Sequence, residues 1–475
     1  MRRSAKILIL AATLLAGCAA TNMPLRPQVP LAEHYSVPVG SLDPALWWQA
    51  RINDPSLGAL VQAGLQDAPN LAAAIARVEA ARARVGGARA AQAPDLAVNA
   101  AITRSRTAPA TLGIDPVPPG FLRDRTLFST DLAVSFDPDL FGRLRASARA
   151  ARLRLDAADA DAEAVRLALV TDIARNWVAV RAANAQLAVA RENLAAAREL
   201  EKLASVRARA GLVPGIDAVR AASLAHEAEA ALAPLNEARA TRLAVLTTLT
   251  GLPQDQVAAI VGDGSLPDFG PLPATAIPAA LLVNRPDIVA AARRLAAADA
   301  DTAAQVAARW PRLDITAVVG AASLAFGDLF GSAAGTASLG AGLTMPIFDF
   351  GRNKARVAEQ KALAAEAYAN YRASVLSAVS EVETNLAAAV ARADRQAAFA
   401  AQQAADVEAE TIATIQYRRG LADMQVVLDA TRTRNRSRDQ VVAAHAARLD
   451  AELALFRSIG IGIGQSAPAR ADSGK

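Results

Sequence analysis

The chain holds few of the residues that chemistry uses. One cysteine, Cys18, and three scattered histidines, His34, His226 and His445, stand among 475 residues. That excludes a disulfide framework and leaves no ligand group at zinc spacing. No Walker A pattern is present, no glycine fingerprint follows a strand, and no nucleophile–base set stands out. Neither an enzyme nor a cofactor or metal centre is expected. A strong charge bias is also missing: 51 Lys and Arg face 46 Asp and Glu, a net +5. Arg2, Arg3 and Lys6 sit in the first six residues, so the remainder is nearly neutral and no nucleic-acid partner is expected. After the first segment, no stretch approaches the ~18 uninterrupted apolar residues of a membrane helix. Any crossing of a bilayer would have to be a closed β-barrel.

The start of the chain carries an address. A cationic opening precedes an apolar run, Ile7 to Gly17, of signal-peptide length. The run ends in Leu15-Ala16-Gly17-Cys18, which resembles the bacterial lipobox. Residues 1–17 therefore read as a lipoprotein signal peptide. Cys18 becomes the new N-terminus, with a diacylglycerol thioether on its sulfur and an acyl chain on its amine. Two or more acyl chains hold a protein firmly to a membrane. Ala19, rather than Asp, follows the cysteine, so the expected address is the outer membrane. Residues 18–50 are Pro-rich and read as an extended, lipid-anchored strap. Residues 465–475 read as a disordered tail.

The chain contains itself twice. Phe141-Gly142-Arg143 recurs as Phe350-Gly351-Arg352, and Arg209-Ala210-Gly211-Leu212 as Arg418-Arg419-Gly420-Leu421, both offset by 209. Upstream, Pro69-Asn70-Leu71 matches Pro286-Asp287-Ile288, and Pro94-Asp95-Leu96 matches Pro311-Arg312-Leu313, both offset by 217. The difference lies in a turn-rich loop holding Pro109 and Pro116 to Gly120, where insertion is cheap. Repeats this long indicate duplication of a whole structural unit, here 51–275 and 276–464.

Each repeat follows one plan. A helix of about 25 residues starts at Pro69 or Pro286, two strands follow, and then a helix runs nearly 70 residues without proline (about 142–210 and 352–419). At ~1.5 Å per residue such a helix is on the order of 100 Å long and needs partners throughout. A glycine turn and a return helix complete the unit (Gly215 to Thr250, Ala422 to Ile459), with Pro234 placed to kink the first of these. The strands, about 95–104, 127–137, 313–322 and 337–347, alternate apolar with polar or small residues. Phe128, Leu132, Val134 and Phe136 share one face, and Ser129, Asp131, Ala133 and Ser135 the other. That length and pattern suit outer-membrane strands between lipid and water. Four strands cannot close a barrel, so spanning strands require several copies. The stretch from Gly251 to Pro278, rich in Pro and Gly, reads as the link between the repeats. The fold class is α+β, mostly α: a duplicated long-helix coiled-coil unit carrying four membrane strands.

These features resemble the TolC-like outer-membrane channels, in the lipoprotein branch similar to OprM and NodT. The residues carrying the resemblance are Cys18, Trp47-Trp48, Asp54-Pro55 with Leu57, Asp139 to Arg143, Asn284 to Ile288, Phe348 to Arg352, and Gly420 followed by Leu428-Asp429-Ala430. The resemblance implies a homotrimer, with twelve strands forming a β-barrel on a periplasmic α-helical barrel. It implies an exit duct for small molecules, docked to a periplasmic adaptor and an inner-membrane RND-type pump, with outer-membrane lipid around the strands. It places adaptor contacts at the helical tips: Arg209, Gly211, Leu212, Arg418, Arg419, Gly420 and Leu421. It also places a periplasmic gate just past the second tip. Asp429 matches a family carboxylate, a second acidic position of some members is Val426 here, and Gln425 stands where the branch is apolar. Asp217 occupies the first-repeat equivalent of Val426, and Asp423 is a further carboxylate near the tip. Carboxylates gathered near an axis favour cations. Type I protein secretion or metal export would use a similar duct, although no Met or His cluster suggests copper handling. A lipid-anchored coiled-coil scaffold without a pore would explain Cys18 and the long helices, but not the four duplicated strands.

Overall fold

The computed structural model describes residues 54–106, 124–269 and 285–460. The signal peptide, Cys18, the strap with Trp47-Trp48, the turn-rich loop at Pro109 to Gly120 and the tail lie outside the described residues. Along the chain run α1 (Pro55–Asp67), α2 (Pro69–Ala90), β1 (Asp95–Ser105), β2 (Arg125–Phe136), α3 (Arg143–Arg209), α4 (Gly215–Ala230), α5 (Leu232–Thr250), α6 (Gln254–Val261), α7 (Pro286–Ala307), β3 (Arg312–Ser323), β4 (Gly335–Thr344), α8 (Arg352–Arg418) and α9 (Met424–Ile459).

Local chemistry explains most of these bounds. Alanine, the best helix former, fills α3 and α8, each 67 residues long. Asp139 caps α3 by accepting from the N–H groups of Leu144 and Arg145 at 2.9 and 2.8 Å. Asp349 does the same for α8 through Gly351 and Asn353, and the Asn353 N–H above all holds its carboxyl below the usual range. Pro234 has no N–H to give Ala230, and the return helix breaks at Ala231 into α4 and α5. β4 stops at Thr344, not at the expected 347, because Pro346 cannot donate to a ladder. The supposed plain link after Gly251 contains α6. Helix α1 was not anticipated at all. Its signals are short: Asp54 accepts from Ser56 N at 2.8 Å, and Pro55 occupies the first turn.

Two compact units emerge, each drawn from both sequence repeats. The first comprises 78–106, 124–157 and 291–371 of the described residues. Its centre is one four-stranded sheet, ordered β1-β2-β3-β4 with every neighbour antiparallel. The second comprises 54–77, 158–269, 285–290 and 372–460. It is helical, and its core holds Leu57, Leu60, Ile173, Trp177, Leu246, Leu386, Leu449, Leu453 and Phe456, all fully buried.

Polar anchors tie this helical core. Trp177 donates its indole N–H to Ser56 Oγ at 2.9 Å, and buried Arg181 reaches Asp54 and Ser56 from α3. Arg285 binds Asp287 through two nitrogens, Glu381 of α8 at 2.9 Å, and the Ser458 carbonyl at the end of α9. Burial pulls the Arg285 guanidinium down, but its bonds to Asp287 and Glu381 more than offset this and raise it. Arg285 thus acts as a clasp on three helices.

Candidate functional site

The first candidate site is the sheet. Direct partners across an antiparallel ladder share a face. Val98 faces Leu132, which faces Val319; Leu96 faces Val134, which faces Ala317, which faces Leu339. Although Leu127 and Val318 lie on the other, most of the large apolar residues of the four strands therefore fall on one face. That face is uncovered: Val98, Val319 and Leu339 are 75%, 62% and 81% exposed. A contiguous apolar face of this kind marks contact with a membrane or another protein. The opposite face carries Asn99, Asp131, Ser135, Thr316, Thr336 and Ser338, with Asn99 donating to Asp131 at 2.9 Å. Aromatic pairs stand at both ends of the strands. Phe128, Phe326 and Phe330 form an edge-to-face series at one end. At the other, Phe141 stacks on Trp310 at 5.6 Å and Phe348 meets Phe350 at 4.6 Å. Such girdles flank the apolar band of outer-membrane barrels.

Close approach inside the sheet depends on Gly320, opposite Asp131. A Cβ at residue 320 would lie 2.3 Å from the Thr130 carbonyl oxygen and 2.7 Å from Asp131 Cβ. β1 and β4 are the sheet's outer strands, each with one neighbour among the described residues.

The second candidate site is the pair of helical tips. Gly211 and Gly420 have φ of +71° and +73°, the left-handed region that favours glycine. At each, the following residue reaches back five positions: Leu212 N to the Arg207 carbonyl and Leu421 N to the Gln416 carbonyl, both 2.9 Å. These are matching Schellman turns. Arg209, Leu212, Arg418, Arg419 and Leu421 are all exposed. Beneath them, Leu224, Tyr417, Met424, Val427 and Leu428 form an apolar cluster contributed by α4, α8 and α9. The Arg207 guanidinium lies 5.1 Å over the Tyr417 ring, holding α3 to α8.

Past the second tip, the four expected gate residues do not form one group. Gln425 donates to both Asp429 oxygens at 3.1 and 3.2 Å, the two exposed residues standing one turn apart on α9. Asp423 sits at the N-cap of α9 without a side-chain capping bond, and Asp217 lies in the first turn of α4. Two partners were missed. Arg432 lies 3.9 Å from Asp429 and donates to Glu227 of α4 at 3.3 Å, so a polar chain runs Gln425–Asp429–Arg432–Glu227. The Asp429/Arg432 spacing was legible as neighbours on one helix face. Glu227, 205 residues away, was not.

Farther along the helical unit is a cavity of about 830 Å³ lined by Arg175, Arg242, Arg392, Arg395, Asp172 and Asp450. Asp450 accepts from Arg175 at 2.6 and 3.2 Å and from Arg392 at 3.4 Å. The hydrogen bond that Arg175 donates to Asp450, more than anything else, raises the pKa of its guanidinium. This basic cavity had no sequence signal. Among the described residues, no helix is long and apolar enough to cross a membrane.

Comparison with known proteins agrees with this geometry. The chain is 30% identical over 426 residues, 89% of each chain, to the pyoverdine export outer membrane protein OpmQ of Pseudomonas putida. It is also 30% identical to the toluene efflux pump outer membrane protein TtgF of Pseudomonas putida, covering 90% of this chain and 87% of that one. Its structure matches the outer-membrane channel OprN with a TM-score of 0.83 at 26% identity, over 93% of this chain and 99% of that one. The family model described as outer membrane efflux protein matches residues 60–252 and 277–461, one match on each repeat, and the chain belongs to that family.

Proposed function

We propose that three copies of this chain form one outer-membrane exit duct of a tripartite efflux system. The observation that carries the reading is the four-stranded sheet, with one apolar face and two outer edges that find no partner strand among the described residues. An open edge has no partner for its backbone groups in lipid, each worth several kcal/mol. Closing three sheets edge to edge removes every edge and gives twelve strands, an even number within the range of such barrels. The apolar faces then meet lipid and the Asn99/Asp131 face lines the water-filled interior. Lipid on Cys18 holds each copy at the outer membrane. The Gly211 and Gly420 tips meet the periplasmic adaptor, with Leu212 and Leu421 as apolar contacts and Arg209, Arg418 and Arg419 as charged ones. An RND-type pump loads the duct from the inner membrane.

Asp429 forms the gate ring, three copies per duct. Gln425 steadies it, and Asp423 and Asp217 add negative potential near the entrance. Support comes from the exposed carboxylate on the helix that follows the tip, and from the hydrogen-bonded tie to α4. The reaction is passage rather than covalent change, so the working parts are a lumen and its ends.

Electron microscopy of the detergent-extracted lipoprotein tests the reading. Threefold tubes well over 100 Å long are expected, together with greater drug sensitivity in a deletion strain. A monomeric rod would overturn the duct in favour of a lipid-anchored scaffold. Cys18→Ser is expected to remove the acyl mass and loosen membrane attachment without changing the fold.

A further inference from the structure

The cavity beside Asp450 owes its volume to small side chains. Ala179 and Ala183 of α3 line it together with Ala443 and Ala447 of α9, each pair one turn apart. It lies on the side of α3 away from α1 and α6. Trp177, Arg181 and Asn184 share the face of α3 that bonds to Ser56, Asp54 and the Gly262 carbonyl. Asp172, Arg175, Ala179 and Gln186 line the cavity from about half a turn around the same helix.

The charges around this cavity do not balance. Arg175, Arg242, Arg392 and Arg395 line it, against Asp172 and Asp450. Both carboxylates are already engaged. Asp450 accepts from Arg175 and Arg392, and Asp172 accepts from Arg457 at 3.4 Å. Arg242 and Arg395 have neutral partners: Arg242 donates to the Asn176 amide oxygen at 3.4 Å, and the Arg395 guanidinium lies 5.0 Å over the Phe399 ring. Both side chains are exposed, so their forks are open to a ligand. A guanidinium stays charged at any physiological pH, and these two stand without a counter-charge among the described residues. Gln440, in the same wall, has a buried amide oxygen with no hydrogen-bond partner, so the wall is not satisfied internally either.

From this we infer that the cavity is a binding site for a small aromatic dicarboxylate. A guanidinium fork holds a carboxylate through two parallel hydrogen bonds. Arg242 of α5 and Arg395 of α8 present two such forks from different helices, and an anion with two carboxylates joins them. Arg392, Arg395 and Phe399, spaced three and four apart, share one face of α8. Phe399 and the alanines give the ligand's ring an apolar bed. A phosphate would fill the forks but leave that bed empty. The volume, about 830 Å³, is that of a small-molecule site. All the lining residues come from one chain and one unit, so the site goes beyond the duct reading and does not depend on how copies assemble. Its sign is opposite to that of the Asp429 carboxylates near the tip.

Calorimetric titration of the full-length, detergent-extracted lipoprotein tests the site, with isophthalate as the probe and neutral isophthalamide as its isostere. At low salt isophthalate is expected to bind saturably, and isophthalamide about tenfold or more weakly. Arg242→Gln with Arg395→Gln is expected to weaken isophthalate by about tenfold or more. Arg84→Gln with Arg89→Gln, which removes the same charge from exposed positions of α2, is expected to leave it unchanged. Ala179→Phe, which fills the cavity and keeps every arginine, is expected to abolish binding. No saturable binding, equal binding of the two probes, equal weakening by both arginine pairs, or undiminished binding by Ala179→Phe would overturn the site. If a variant fails to fold, the two probes still decide the matter in the unmodified protein. Native mass spectrometry separates the site from the duct. Trimers that do not bind isophthalate overturn the site alone; monomers that bind it overturn the duct and support the site.

Discussion

Arg432 offers a way to measure the tie that holds α9 to α4 near the proposed gate. Arg432→Ala removes the 3.3 Å bond to Glu227 and the 3.9 Å approach to Asp429, and keeps every carboxylate in place. The arginine and glutamate side chains are 37% and 62% exposed. An exposed pair of this kind contributes ~0.2–1 kcal/mol, which alone is small against fold stability. In a trimer three such ties act on one gate, so the sum is about 0.6–3 kcal/mol. At 1.4 kcal/mol per factor of ten, the open population of the duct rises about 3-fold to about 150-fold. Single-channel recording in planar bilayers reads this directly as open probability or mean conductance. The effect is expected to shrink at 1 M salt, where the screening length falls to ~3 Å. Arg432→Lys is expected to lie between the two. An Arg432→Ala duct that matches the unmodified one at low salt, with the same melting temperature, would refute the tie as a gate element.

Further outcomes follow from the same geometry. Arg285→Ala is expected to lower stability by about 2–3 kcal/mol, discounted for the partly exposed Asp287 and Glu381; thermal unfolding checks it, and Arg285→Lys should recover only part. Gly320→Ala is expected to lower the yield of assembled protein in membranes, because its Cβ meets the Thr130 carbonyl, whereas Gly327→Ala, in open space, should not. Gly420→Ala together with Gly211→Ala places side chains in left-handed turns at ~1–2 kcal/mol each; reduced drug export at normal membrane levels is the expected reading in a minimal-inhibitory-concentration assay. Burial, partly offset by Asp268, lowers the His445 pKa below its usual ~6.5, so the unfolded chain binds the extra proton first. Its contribution is complete above about pH 6.5 and is lost as the pH falls toward the lower folded value. His445→Gln should flatten the acid side of the stability profile.

Much of the architecture was legible because it is periodic. The alternation in Leu127 to Asp137 gives the mainly apolar and mainly polar sides of β2, and the ladder aligns three more strands to the same face. The long helices were readable from proline-free, alanine-rich runs, and their ends from Gly211 and Gly420. Exceptions arose where one residue overrides a pattern. Pro346 ends β4 early, and Pro234 divides a return helix that otherwise has helical periodicity throughout. Helix α1 went unread because 13 residues leave little periodicity to detect beyond Asp54-Pro55-Ser56.

The candidate functional site divides along the same line. Tip residues and Asp429 sit at fixed distances from a glycine, so chain order is enough to locate them. The partners of those residues come from helices far apart in sequence. Nothing in the residue spacing announces Glu227 beneath Arg432, Glu381 beside Arg285, or the arginines gathered around Asp450. Periodicity and repeat offsets are properties of one chain direction, and the sequence holds them completely. Which charge meets which across packed helices depends on rotation and depth of packing. Those are settled when Trp177, Leu386 and Phe456 are buried together.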